Sequence, residues 1–153
     1  MINDEVKEYI ESSVLCWLAT CDSKGIPNVS PKEMFTYLDE NKLIIAHIAS
    51  PNTVRNIREN PKVCVSFVDV FVQKGFKLMG VARLVKKNND EFIAMLKKLT
   101  DIYSEKFPVK AIIEITVNKA DRIVAPSYFL FPDTTSEENQ IEAAYKTYGI
   151  KAI

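Results

Sequence analysis

A mainly β domain, with about six short antiparallel strands closed into a small barrel, is what this sequence predicts. Apolar and β-branched runs recur between turn residues, as in VLCWLATC, KLIIAHI, VCVSFVDVFV and IIEITV. The connections at Asp22–Gly25 and Asp39–Asn41 are short, and strands joined this way run antiparallel because parallel pairs need long crossovers. Short strands in this number, in a chain of 153 residues, usually close into a barrel.

The elements follow in order. Asn3 to Ser13 reads as a helix capped by Asn3 or Asp4, with acids in its first turn and Val6, Tyr9 and Ile10 on one face. Val14 to Cys21 is a strand, closed by a type I or bulged turn over Asp22–Gly25. Ile26 to Tyr37 returns as a second strand. Its Pro27 and Pro31 cannot donate to a ladder, so it lies at an edge or is locally irregular. Lys42 to Ile48 is the third strand. Ser50-Pro51-Asn52-Thr53 then signals a helix start, and that helix ends before Pro61. Val63 to Val72 is a strand, and Phe76 to Lys86 another, with Gly80 marking a bulge or close backbone approach. Asn88-Asn89-Asp90 is expected to cap the longest helix, with Phe92, Leu96, Leu99 and Tyr103 as its apolar stripe. Lys110 to Ala125 is the last long strand, followed by an aromatic tail and an acidic helix over Ser136–Tyr148.

Composition narrows the function classes. Twenty basic residues balance twenty acidic ones, which removes the general electrostatic motive for nucleic-acid binding. No apolar run is long enough to cross a membrane, and the first residues carry no signal-peptide pattern. Cys16, Cys21 and Cys64 have no CxxC spacing and read as free thiols of a reducing cytoplasm, the expected compartment. With one histidine and three scattered cysteines there is no zinc ligand set. The glycines fit neither GxGxxG nor a P-loop. A single domain over residues 1–153 is expected, without repeats or linkers.

Two segments carry candidate chemistry. One runs from Ile45 through Ala46 and His47 to Asn56, where a strand passes directly into a helix bearing Ser50, Asn52, Thr53, Arg55 and Asn56. Unpaired N–H groups at a helix start suit a phosphate, and Arg55 could add a charged donor; the competing reading is plain capping with a solvated arginine. His47 is either a packed, hydrogen-bonded strand residue or a ligand contact. The other segment is Ser30-Pro31-Lys32-Glu33-Met34, where proline frees neighbouring backbone groups from the ladder to meet a flat heterocycle. No nucleophile–histidine system or carboxylate pair stands out, so no catalytic side chain is named.

The order LAT-x-D-x-x-G-x-P-x-V-S-P, then R-N-I-x-x-N-P-x-V, then GVARLV resembles the pyridoxamine 5'-phosphate oxidase-like family of FMN-binding split barrels. The resemblance is good over about Val14 to Val85. It implies a six-stranded antiparallel Greek-key split β-barrel with short peripheral helices, working as a homodimer with FMN at the subunit interface. It places the FMN phosphate near Ser50, Asn52, Thr53 and Asn56, with Lys32 as the cation. The ring is then placed along Pro31–Met34 and Ile45–His47. The partner subunit is expected to approach through the loop around Val72 to Phe76, bringing Gln73 and Lys74. Many members carry lysine where this chain has Thr53, so the phosphate charge falls to Lys32, Arg55 or the partner's Lys74. Oxidases of the vitamin itself carry a basic C-terminal region; here the segment SEENQIEAAYKTYGIKAI is acidic, and vitamin oxidation is not expected. Tyr128, Phe129 and Phe131 either cover the flavin or a neighbouring subunit, or pack onto the barrel. The expectation is an FMN-dependent oxidoreductase acting on a small partner. The alternatives are a non-catalytic flavin carrier or sensor, and the same barrel holding a deazaflavin, or a haem on His47.

Overall fold

The structure, a computed structural model, describes residues 1–151. Its strands are β1 (Cys16–Cys21), β2 (Pro27–Lys32), β3 (Phe35–Asp39), β4 (Lys42–His47), β5 (Lys62–Asp69), β6 (Lys74–Lys86) and β7 (Ala111–Val124). The helices are α1 (Asp4–Ser12), α2 (Pro51–Glu59), α3 (Phe92–Thr100), α4 (Ser127–Leu130) and α5 (Glu137–Tyr148). All strand pairs are antiparallel, in the order β2-β1-β5-β6-β7-β4-β3. The outermost strands of that order, β2 and β3, are consecutive in the chain. The sheet therefore curls round until its two ends meet at Glu33 and Met34, giving the split barrel.

There are seven strands rather than six, because the expected strand Ile26–Tyr37 divides in two. Lys32 is the last residue paired with β1, opposite Cys16, and Phe35 is the first paired with β4, opposite Ile45. Glu33 and Met34 belong to neither ladder, and the Met34 carbonyl accepts from the Ala46 N–H at 2.9 Å. Pro31, which has no N–H to give a ladder, lies just before the break.

Alternation on the strands sorts the core into two clusters. Leu43, Ile45, Ile113, Ile115, Leu18, Val65 and Phe67 fill the barrel with Val6 and Ile10 of α1. Their sequence neighbours Ile44, Ala46 and Ile112 point the other way and are covered by Phe92, Met95 and Leu99 of α3. β4 is thus buried on both faces, which explains its unbroken apolar run. The outer wall of β2, β1, β5 and β6 has no such cover, and Trp17, Val29 and Val81 stand exposed there.

Three boundaries differ from expectation. α3 has 9 residues and is not the longest helix; α5 has 12. The asparagines before α3 instead form a tight turn, with Asn89 Oδ1 accepting from the Lys86 N–H at 2.6 Å. β5 stops at Asp69, three residues short of Val72, because the Asp69 carboxylate takes the Phe71 N–H at 2.9 Å and folds the chain into a turn.

Gly25 has φ +82° and closes the β1–β2 turn by donating to the Asp22 carbonyl. Gly80 meets a different need. The β6–β7 register shifts between Met79 and Gly80, and a Cβ at Gly80 would lie 2.2 Å from the Thr116 carbonyl oxygen. Gly80→Ala is expected to destabilise the barrel by about 2–3 kcal/mol in urea denaturation, since a backbone atom must move to admit it. A cost near zero would show that the bulge relaxes freely.

Candidate functional site

α2 begins at the mouth of the barrel where β4 ends. Pro51 occupies its first turn, and its N-cap Ser50 makes no side-chain capping bond. The Ser50 hydroxyl instead accepts a hydrogen bond from Lys32 Nζ. Lys32 is only 5% exposed, and among the described residues no carboxylate forms an ion pair with it. Burial pushes its ammonium below the usual lysine range, with Cys16 opposing weakly. A buried cation with no counter-charge, beside a helix start, is the dominant electrostatic feature of this region.

Around it lies a cavity of about 310 Å³. Pro31, Lys32, Glu33 and Met34 form one side, and Ala46 and Ser50 the other, with Ile48, Ala49 and Phe107 completing it. The break between β2 and β3 is what opens this space, so the residues outside the ladders are those lining it. Larger concavities exist, one of about 630 Å³ beside α3 and one of about 460 Å³ on the outer wall. The first is lined mainly by Phe92, Leu96, Phe107 and Val109, and neither holds a buried cation.

The remaining candidates are distributed differently. Thr53 is fully buried, its hydroxyl sharing a 3.2 Å hydrogen bond with Ser30, and Asn56 donates to the Thr20 hydroxyl at 3.1 Å. Both therefore fasten α2 to β1 and β2. Asn52 and Arg55 are exposed and bonded to each other at 3.0 Å. Ile45 is buried in the core, its backbone paired with Phe35 on one side and Ile113 on the other. His47 lies on the opposite flank of α2, in a concavity with Val54, Arg58, Leu84 and Lys110. Its Nδ1 is buried without a hydrogen-bond partner, so the fully bonded strand histidine is not what the structure shows. Burial first, then Lys32, Lys110 and Arg58, hold its pKa below the ordinary histidine value. Gln73, with φ 58°, and Lys74 sit on the β5–β6 turn, where Lys74 pairs with Glu137 at 2.6 Å and lies 4.4 Å from the Tyr128 ring centroid. They do not line the Lys32 cavity of their own chain.

Ser30, named from sequence together with Pro31–Met34, lines the Lys32 cavity, whereas sequence reasoning missed Thr20 and Phe107. Thr20 was legible in principle, being on the same strand face as Leu18. Phe107 arrives from an irregular segment with no periodic signal.

A family sequence profile described as pyridoxamine 5'-phosphate oxidase matches residues 2–123. The chain belongs to this family. Its curated relative, the haem oxygenase HutZ of Vibrio cholerae serotype O1, is 24% identical over 111 residues. That match covers 68% of this chain and 62% of HutZ, so less than two thirds of the relative's length is represented. The H111A variant of HupZ from Group A Streptococcus has 27% identity and a TM-score of 0.68, over 80% of this chain and 100% of that one. An FMN-binding protein from Syntrophomonas wolfei subsp. wolfei also reaches a TM-score of 0.68, at 16% identity, over 80% of this chain and 86% of its own. The resemblance read from the motifs and the split-barrel fold class are thereby established.

The Asn56–Thr20 bond fixes where α2 presents its first turn. Asn56→Ala is expected to cost about 2 kcal/mol in urea denaturation, because the Thr20 hydroxyl is left buried and unpaired. Double replacement with Thr20→Val should recover part of that loss, and its failure to do so would place the defect elsewhere.

Proposed function

We propose that this member of the pyridoxamine 5'-phosphate oxidase family binds FMN in the Lys32 cavity and works as a homodimeric redox flavoprotein. The observation that carries the reading is Lys32: a buried ammonium with a serine hydroxyl beside it and no carboxylate to neutralise it. An unpaired buried charge is costly, and a phosphate supplies the missing partner. Ser50 and the first N–H groups of α2 add donors at the same place, and Arg55 with Asn52 stands close by at the surface. Pro31 to Met34, between the two ladders, would offer backbone and apolar surface to a flat ring. Bound FMN supplies hydride or single-electron transfer, while this chain's residues hold and orient it. The similarity in fold to an FMN-binding protein supports the choice of ligand.

The dimer follows from two features. The cavity of about 310 Å³ encloses only part of a flavin, and the uncovered wall carrying Trp17, Val29 and Val81 offers an apolar surface for a second copy. In such a dimer Gln73 and Lys74 belong to the neighbouring copy's approach rather than to their own cavity.

A second reading has one observation behind it. HutZ is named a haem oxygenase, and the sole histidine here, His47, has a free buried Nδ1. Denaturing the purified protein and identifying the released chromophore decides between them. Released FMN is expected. Released haem whose spectrum is lost in His47→Ala would favour the second reading, and a released deazaflavin would keep the site but change the ligand. A colourless protein that free FMN does not stabilise against heat would refute the flavin assignment.

Lys32→Met should separate stability from binding. With no counter-ion to lose, the apoprotein is expected to gain about 1 kcal/mol in thermal unfolding. FMN affinity by fluorescence titration is expected to fall by about tenfold or more, as loss of a charged hydrogen bond predicts. A loss of stability instead would make Lys32 a structural residue.

A further inference from the structure

On the other flank of α2 lies a second cleft, of about 440 Å³. It gathers cations from three elements: Arg58 near the end of α2, Lys86 and Lys87 at the end of β6 and just after it, and Lys110 immediately before β7. No carboxylate lines it, and among the described residues none of these four forms an ion pair. His47 forms part of its wall, held there by the Lys110 N–H donating to the His47 carbonyl at 2.9 Å. The turn that closes on Asn89 fixes the backbone of Lys86 and Lys87. In a chain of zero net charge, four uncompensated cations converging on one concavity are a local excess that composition hides.

We propose that this cleft is a second ligand site, separate from the Lys32 cavity, that holds the diphosphate group of a small molecule. A single phosphate would leave about half of this charge unanswered, whereas a diphosphate matches it and suits a space larger than one phosphate. Arg58 offers a planar fork to one phosphoryl group, and the lysines act as point charges around the other. The imidazole of His47 is the remaining donor. The groups facing it are Arg58 from α2, Lys110 before β7 and Lys32 from β2, all cationic. They and burial hold it neutral in the free protein, and an anion in the cleft would reverse that field and favour its protonated, donating form.

The single histidine makes the test direct, because each of its two carbon-bound ring protons gives one NMR resonance per chain. Inorganic pyrophosphate is titrated into the full-length protein, with and without saturating FMN, following the His47 resonance and the heat of binding. The expected result is a saturable shift of that resonance, a rise in its pKa, and binding that persists when FMN is saturating. Arg58→Gln with Lys87→Gln should weaken binding by about tenfold or more, while Lys32→Gln and the distant Lys146→Gln leave it within about twofold. ADP binding more tightly than pyrophosphate would assign a nucleoside-borne diphosphate; equal affinity would show that the diphosphate alone is read. A linear, non-saturating response, or an equal loss in Lys146→Gln, would reduce the cleft to a solvated basic surface and overturn the proposal. Competition by FMN together with loss of binding in Lys32→Gln would place pyrophosphate in the first cavity, and would equally overturn it. If FMN fails to bind at all, the histidine titration still reports on this cleft alone.

Discussion

The chain changes sheet partners within two residues, and the rest of the molecule is arranged around that step. Lys32 still pairs with β1, and Phe35 already pairs with β4. Glu33 and Met34 between them close the barrel by covalent continuity instead of by a full hydrogen-bonded ladder. A closed barrel removes both sheet edges, but here the seam leaves backbone and side chains outside any ladder. The seam is therefore at once the weakest point of the wall and the place where a ligand can enter it. Burial on both faces of β4 supports this arrangement, since Ile45 anchors the seam from inside while Ala46 and Met34 hold it from the α3 side.

Lys32 shows what the seam makes possible. A lysine in a regular half-buried strand would reach solvent along its aliphatic stem. At the last residue of β2 its stem instead turns inward beside Cys16, and its ammonium ends at Ser50, on the helix start. The fold tolerates an uncompensated charge there, and natural proteins keep such a cost chiefly where a ligand relieves it. Thr53 carries no charge to this region and spends its hydroxyl on Ser30.

Most of the architecture was legible because it rests on local signals. Turn residues at Asp22–Gly25, proline at the start of α2 and the alternation of β7 each specify their element without help from the rest of the chain. What escaped depended on tertiary context. Nothing in Ile26–Tyr37 says which partner each half will choose, so one strand was expected where two stand. Asn56 and Thr53 read as ligand donors because their positions resemble a phosphate site, yet only the packed structure reveals that Thr20 and Ser30 already occupy them. For His47, sequence gave a burial estimate but no partner inventory, and the unpaired Nδ1 is a property of the fold alone.

The zero net charge conceals a segregation of its parts. Several carboxylates are committed to ion pairs away from α2: Glu114 accepts two hydrogen bonds from Arg83 at 2.9 Å and lies 3.5 Å from Lys42, while Glu137 holds Lys74. Among the described residues, Lys32 on one flank of α2 and the Arg58–Lys110 group on the other form no ion pair. His47 lies between the two groups, and burial first, then the charges of Lys32, Lys110 and Arg58, disfavour its protonated form. An anion bound on either flank would lower the field experienced by the other. With an anion in one cavity, its occupancy would be coupled to the charge state of His47 through Lys32, Lys110 and Arg58, with no movement of the barrel required.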